Sequence, residues 1–162
     1  MKRVLVIGYG NPYRRDDGVA LVVVNGLRTL QRRPLLEEGM DGLEELGEEL
    51  DTIFLQQLTP ELAEIIVQYE EATFVDAHMG EYPELLREVA LKPATRPAIV
   101  SHHLHPEALL ALAEALWGRA PQARLISIRG YDFDFGTELS PQTQEGSERA
   151  VAQIWKALGV AD

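Results

Sequence analysis

The opening of the chain constrains the fold more than any other stretch. Val4-Leu5-Val6-Ile7 is an unbroken apolar run rich in β-branched residues, and it stops at Gly8-Tyr9-Gly10. A run that is apolar at every position, not at alternate ones, predicts a strand buried on both faces. A loop containing Asn11-Pro12 follows. Asp16 and Asp17 then stand where a helix would begin, and the apolar stretch Val19 to Val24 continues to Leu27 and Leu30. Carboxylates in a first helical turn cap free N–H groups and complement the helix dipole, so both aspartates read as helix-start residues. A doubly buried strand with a tight turn into a helix belongs in a parallel sheet.

Later segments repeat the pattern. Thr52 to Gln57 is a short strand candidate, and Thr59-Pro60-Glu61 opens a helix with Leu62, Ile65, Ile66 and Tyr69 on one face. Ala72 to Ala77 is a second buried-strand pattern bearing Asp76, and Leu86 to Leu91 alternates as a half-buried strand would. Ile99 to Ser101 leads into a histidine-rich loop, and Pro106 opens a helix carrying Leu109, Leu112, Ala113 and Leu116. Arg124 to Ile128 is the last strand. Ser140-Pro141 reads as a cap plus first-turn proline for a closing helix with Val151, Ile154, Trp155 and Leu158. Strands alternating with helices predict a three-layer α/β/α fold: a mostly parallel sheet of about five strands with helices on both faces. The 162 residues fit one domain, 1–162. Residues 31–51, with a basic start, Pro34 and the acidic run from Glu37 to Asp51, read as a surface excursion with one amphipathic turn.

Charge and composition narrow the function. The net charge of −11 repels phosphate backbones and anionic headgroups, so nucleic acid and membrane surfaces are poor partners. With no cysteine there is neither a thiolate metal site nor a Cys nucleophile. The apolar run near the N-terminus is too short for a signal peptide or a bilayer span, which points to a cytoplasmic protein. The regular surface charge gives no reason to propose an obligate oligomer, so a monomer is the default expectation.

Three constellations could carry chemistry. Gly8-Tyr9-Gly10 suggests a dinucleotide turn, but the third glycine of G-x-G-x-x-G would fall at Tyr13, and Asp16 and Asp17 occupy ground where a pyrophosphate needs low negative charge. The plain alternative is a tight strand-to-helix turn with capping aspartates. Asp76 ends a strand, where α/β sheets bind ligands; a lone strand-end aspartate is otherwise a loop cap. Ser101-His102-His103-Leu104-His105, with His78, holds every histidine of the chain. His102 and His103 point to opposite sides if extended, so at most one of them faces a shared site, and His105 precedes Pro106 and is biased away from helix. Two carboxylates and an imidazole, each just after a strand, form an O/O/N set with open positions for a divalent transition metal. Neither H-E-x-x-H nor G-x-S-x-G is present.

These residues resemble a family. Gly8-Tyr9-Gly10-Asn11 through Asp16-Asp17-Gly18 is similar to the signature G-x-G-N-x-x-x-x-D-[DE]-G of the [NiFe]-hydrogenase maturation proteases. The likeness continues at Gln57-Leu58-Thr59-Pro60-Glu61-Leu62-Ala63, Val75-Asp76-Ala77, Ser101-His102 and Leu139-Ser140-Pro141, so it spans nearly the whole chain. The Gln-Leu-Thr-Pro-Glu-Leu segment is similar to members serving bidirectional, cofactor-linked hydrogenases. Two departures stand out: Ala20 replaces a second glycine, which touches helix packing, and Gln56-Gln57-Leu58-Thr59 replaces the Asp-Gly-Gly-Thr that many relatives carry near the substrate cleft.

The resemblance implies an endopeptidase that removes the C-terminal extension of a [NiFe]-hydrogenase large-subunit precursor after nickel insertion. Asp17, Asp76 and His102 would coordinate nickel that belongs to the substrate and is not a resident cofactor; no nucleotide is implied. Asp16 is then a candidate general base, and metal polarisation of the carbonyl or water is the other route. The competing reading is a resident-metal hydrolase of small molecules. A non-enzymatic nucleotide-binding module is a third, disfavoured by Tyr13 and the paired aspartates.

Overall fold

A computed structural model describes residues 2–95 and 104–159. It contains the expected α/β architecture. Strand β1 (Val4–Tyr9) leads through a 3₁₀ turn (Arg15–Gly18) into α1 (Val19–Leu30). After a second 3₁₀ turn (Leu43–Glu45) come β2 (Leu50–Leu55), α2 (Leu62–Ile66), β3 (Glu71–His78), β4 (Leu86–Leu91), α3 (Pro106–Trp117), β5 (Gln122–Arg129) and α4 (Pro141–Ala157). The five strands form one sheet in the order β2-β1-β3-β5-β4. Four run parallel, and β4 lies antiparallel at the edge against β5.

Alternate residues of the central strands feed two cores. Leu5, Ile7, Ala72 and Phe74 pack against Leu62, Ala63 and Ile66 of α2 and Leu109, Leu110 and Ala113 of α3. Val6, Val75, Ile126 and Ile128 pack on the other side against Val19, Ala20, Val23, Val24 and Leu27 of α1 and Ala150 and Ile154 of α4. A strand buried this way has no polar face, which is why its sequence reads as an unbroken apolar run. Only β4 shows solvent on alternate residues, as an edge strand does.

Several boundaries differ from the sequence expectation. The α-helix after β1 starts at Val19, its N-cap is Gly18, and no side chain caps it. Asp16 and Asp17 sit in the preceding 3₁₀ turn, so the capping role expected of them is replaced by others described below. Strand β2 begins two residues earlier and ends two earlier than Thr52 to Gln57. Helix α2 is a five-residue piece that stops before Tyr69. Pro106 opens α3 and Ser140 caps α4 as expected, with Thr143 N–H donating to the Ser140 hydroxyl at 3.4 Å. Ser101, His102, His103 and the segment around Ile99 lie outside the described residues.

Residues 31–51 wrap the β2 edge, and their charges are the fastening. Arg28, wholly buried, donates from Nε to the Pro34 carbonyl at 2.5 Å and from Nη1 to the Thr52 hydroxyl at 3.2 Å, and ion-pairs with Glu45. Asp51, also buried, accepts from the Gly47 and Glu48 amides and from the Tyr69 hydroxyl, with Arg3 and Arg33 each 3.5 Å away. Arginine in a buried site keeps its charge, so the acids around it are what make its burial tolerable.

Candidate active site

The residues Gly8 to Gly18 make a close-packed turn past the carboxyl end of β1. A Cβ on Gly10, whose φ is +145°, would lie 2.2 Å from the Asp17 carbonyl oxygen. One on Gly18 would lie 2.7 Å from the Pro12 Cα. Both positions therefore require glycine, and the close approach draws Asp17 over the strand end. Asn11 N–H donates to the Asp17 carboxylate at 2.8 Å, and the Asn11 side chain accepts from Tyr13 N–H at 2.9 Å. Gly8 has the Ala20 Cβ only 3.0 Å from where its own would be, so a small residue at position 20 lets the helix seat on the strand.

The two adjacent aspartates part ways. Asp16 is wholly buried and accepts five hydrogen bonds: from the backbone N–H of Tyr131 (2.7 Å), Asp132 (2.9 Å) and Ser140 (2.7 Å), and from the hydroxyls of Ser140 (2.7 Å) and Thr143 (2.8 Å). Burial alone would raise its pKa, but these donors outweigh it and hold the carboxyl below the usual carboxylate range. Its lone pairs are committed to joining the β1–α1 turn to the β5–α4 loop. Arg14 and Arg15 complete that join: Arg14 Nε donates to the Phe133 carbonyl, Arg15 Nε donates to the Glu138 carbonyl, and Arg15 pairs with Asp132 at 3.1 Å. Arg15 is held at a φ of +44°, an unfavourable backbone conformation for a side-chain-bearing residue. Asp16 so placed is wholly buried, holds the loops together and does not line the cavity described next.

Asp17 faces the other way, into a cavity of about 260 Å³ lined by Tyr9, Gly10, Asp17, Gln56, Gln57, Leu58, Asp76, Leu104 and His105. It lies beyond the carboxyl ends of β1, β2 and β3, where doubly wound sheets hold their ligands. Other hollows occur over β3, β5 and β4 and around Val67, but neither is lined by an acid–histidine set. Asp76 enters from β3, beside Tyr9. Burial pushes its carboxyl up to about 7, and the negative charge of Asp17 adds to that, against the pull of the Ala77 N–H bond at 2.7 Å and of the Tyr9 hydroxyl. Burial and the Asp76 charge push the Tyr9 hydroxyl above its ordinary value. Two carboxylates so close together disfavour carrying negative charge at the same time.

The structure thus brings Asp17 and Asp76 to one cavity and takes Asp16 away from it. Among the described residues, no three acidic or histidine side chains are grouped closely enough to hold a metal ion. His102, the expected nitrogen ligand, lies outside the described residues. His78 does not line the cavity; its Nε2 sits 3.0 Å from the Glu84 carbonyl oxygen and its ring meets Tyr82 edge-on. Sequence reasoning missed the roles of Tyr9, Ser140 and Thr143. Tyr9 was readable as the strand residue beside Asp76 once the register was known, whereas Ser140 and Thr143 carry no signal beyond their helix-cap pattern.

Fold and site together define a class: a doubly wound α/β protein with an acid-lined cavity at its strand ends and no phosphate-binding turn. No protein-family model and no curated protein matches the sequence, but solved structures do. A hydrogenase 2 maturation peptidase from a Thaumarchaeota archaeon is 26% identical, with 99% of this chain and 100% of that one covered at a TM-score of 0.65. The hydrogenase maturating endopeptidase HybD from E. coli matches at 18% identity and a TM-score of 0.68, over 96% and 91% of the two chains. The [NiFe] hydrogenase maturation protease HycI from Thermococcus kodakarensis matches at 21% and 0.65, over 98% and 94%. The end-to-end likeness shows that this chain has the fold of these hydrogenase maturation peptidases.

Proposed function

We propose that this protein removes the C-terminal extension of a [NiFe]-hydrogenase large-subunit precursor, and does so only after nickel has been installed. The observation that carries the reading is the pairing of Asp17 and Asp76 in one cavity, with Asp76 held partly protonated at neutral pH by burial and by its neighbour's charge. Such a pair is relieved by a divalent cation, which displaces the proton and neutralises the repulsion. In this reading the cation is the substrate's nickel, and His102 supplies the nitrogen ligand. Anchoring on the substrate's own metal makes cleavage conditional on loading and fixes the scissile bond near the acids, an orientation effect that lowers the barrier.

Site variants test the assignment. On nickel-loaded precursor followed by intact mass, Asp17→Asn, Asp76→Asn and His102→Ala each abolish processing while the variants still melt cooperatively. Processing at the wild-type rate by any of the three contradicts the ligand set. One equivalent of tightly held metal in the purified protein, with turnover of small amides, would instead establish the resident-metal hydrolase.

A further inference from the structure

We propose that His105 is the proton carrier of the cleavage step, taking a proton from the attacking water and returning it to the leaving amine; this rests on the peptidase reading above. Peptide hydrolysis needs a base for water and an acid for the departing nitrogen, and one imidazole can serve as both in turn. The lining of the cavity leaves few candidates. Asp17 and Asp76 are engaged with the nickel in the proposed complex, and Asp16 is committed to five donors elsewhere. Gln56, Gln57, Leu58 and Leu104 cannot carry a proton. Tyr9 is buried against Asp76, which disfavours its ionised form. His105 remains.

Its placement suits the task. Pro106 restricts the preceding residue to extended backbone, and His105 has φ −85° and ψ 154°. Its carbonyl accepts from the Ala108 and Leu109 amides at 3.0 and 3.1 Å, so the first turn of α3 fixes the backbone. The ring makes no capping bond, and among the described residues no hydrogen bond restrains it. It is exposed and shares the cavity lining with Asp17, Asp76 and Tyr9, and Glu107 follows in the first turn of α3. An imidazole so exposed can exchange protons with solvent between turnovers.

The step balances without another reagent. The water oxygen forms a bond to the scissile carbonyl carbon as His105 removes one water proton. The C–N bond then breaks, and His105 delivers that proton to the departing nitrogen. A carboxylic acid and an amine result, and the acid gives its remaining proton to solvent.

His105→Ala and His105→Gln are tested beside the wild type on nickel-loaded precursor, with single-turnover rate and precursor affinity measured separately. His105→Ala should lower the rate roughly 10²–10⁴-fold, the range for loss of a general acid–base group. Affinity for the precursor should stay within about twofold of wild type, a change below 0.5 kcal/mol. Added imidazole should restore part of the rate to His105→Ala, because a small base can occupy the vacated space. A wild-type rate in either variant, or a loss that follows weakened precursor binding without rescue, overturns the proposal. If the wild type itself fails to cleave, the parent reading falls with it; a cleaving wild type and an unaffected His105→Ala remove only the role of His105.

Discussion

Replacing Asp16 by asparagine separates a structural acid from a catalytic one. One carboxylate oxygen accepts a single bond, from Ser140 N–H, and the other accepts the remaining four. Asparagine preserves the larger set only by placing its carbonyl oxygen there, which turns its NH₂ toward the Ser140 N–H. One bond becomes a donor–donor clash, and four others pass from charge-assisted, about 1.5–3 kcal/mol each, to neutral, about 0.5–1.5 kcal/mol each. The amide avoids the desolvation that opposes a buried carboxylate, which offsets part of the loss. A net destabilisation of about 2–4 kcal/mol follows. For a domain of this size that corresponds to a drop in Tm of roughly 5–15 °C.

Acid pH supplies the control. The folded pKa of Asp16 is depressed, so its stabilisation is complete above the unfolded value, about 3.9, and is lost as pH falls through the lower folded value. Thermal melts of wild type and Asp16→Asn should differ fully from pH 5 to 8 and converge at strongly acid pH, by the same linkage. At a temperature where the variant is folded, its cleavage rate should fall less than the roughly 10²-fold minimum expected for losing a general base. An unchanged Tm with activity abolished would refute this and return Asp16 to the chemistry.

Other expectations concern the site and its scaffold. Asp76 has a raised folded pKa, so its contribution to stability is present below the unfolded value, about 3.9, and is lost as pH rises through about 7; Asp76→Asn should therefore raise Tm at pH 8 and flatten its pH dependence while ending processing, as differential scanning calorimetry over pH 5–9 would show. Gly10→Ala forces a Cβ onto the Asp17 carbonyl and should lower both Tm and processing, whereas alanine at the exposed Gly39, strained at its φ of +81° but with nothing within 4 Å, should lower Tm slightly and leave processing unchanged in the same assay. Arg28→Ala strips the Pro34 carbonyl, Thr52 and Glu45 of their buried partner and should destabilise by about 3–5 kcal/mol in urea unfolding, with the slope of the transition unchanged.

The sheet was legible because burial on both faces leaves a clear mark: Val4–Ile7 is apolar throughout and Ala72–Val75 is apolar but for Thr73, and Pro106 and the Ser140-Pro141 pair marked the starts of α3 and α4. Asp17 and Asp76 were legible because strand ends are where such sheets hold ligands. The division of labour between Asp16 and Asp17 was not, since it depends on Ser140 and Thr143, more than 120 residues away along the chain. Nor was the order of residues 31–51. Their charges looked like a solvated face, and only the depth of Arg28 and Asp51 shows that they fasten a segment to the sheet edge. His105 could be placed on an extended backbone from Pro106 alone, but its cavity is built from β1, β2 and β3, which no local pattern specifies.

Nickel dependence is the centre of the account, and the most direct measurement is a single-turnover cleavage of the large-subunit precursor, prepared with and without nickel and followed by intact mass. The account predicts loss of a short C-terminal peptide from the nickel-loaded form alone. Equal cleavage of the nickel-free precursor would contradict it, because Asp17 and Asp76 would then not be reading the substrate's metal.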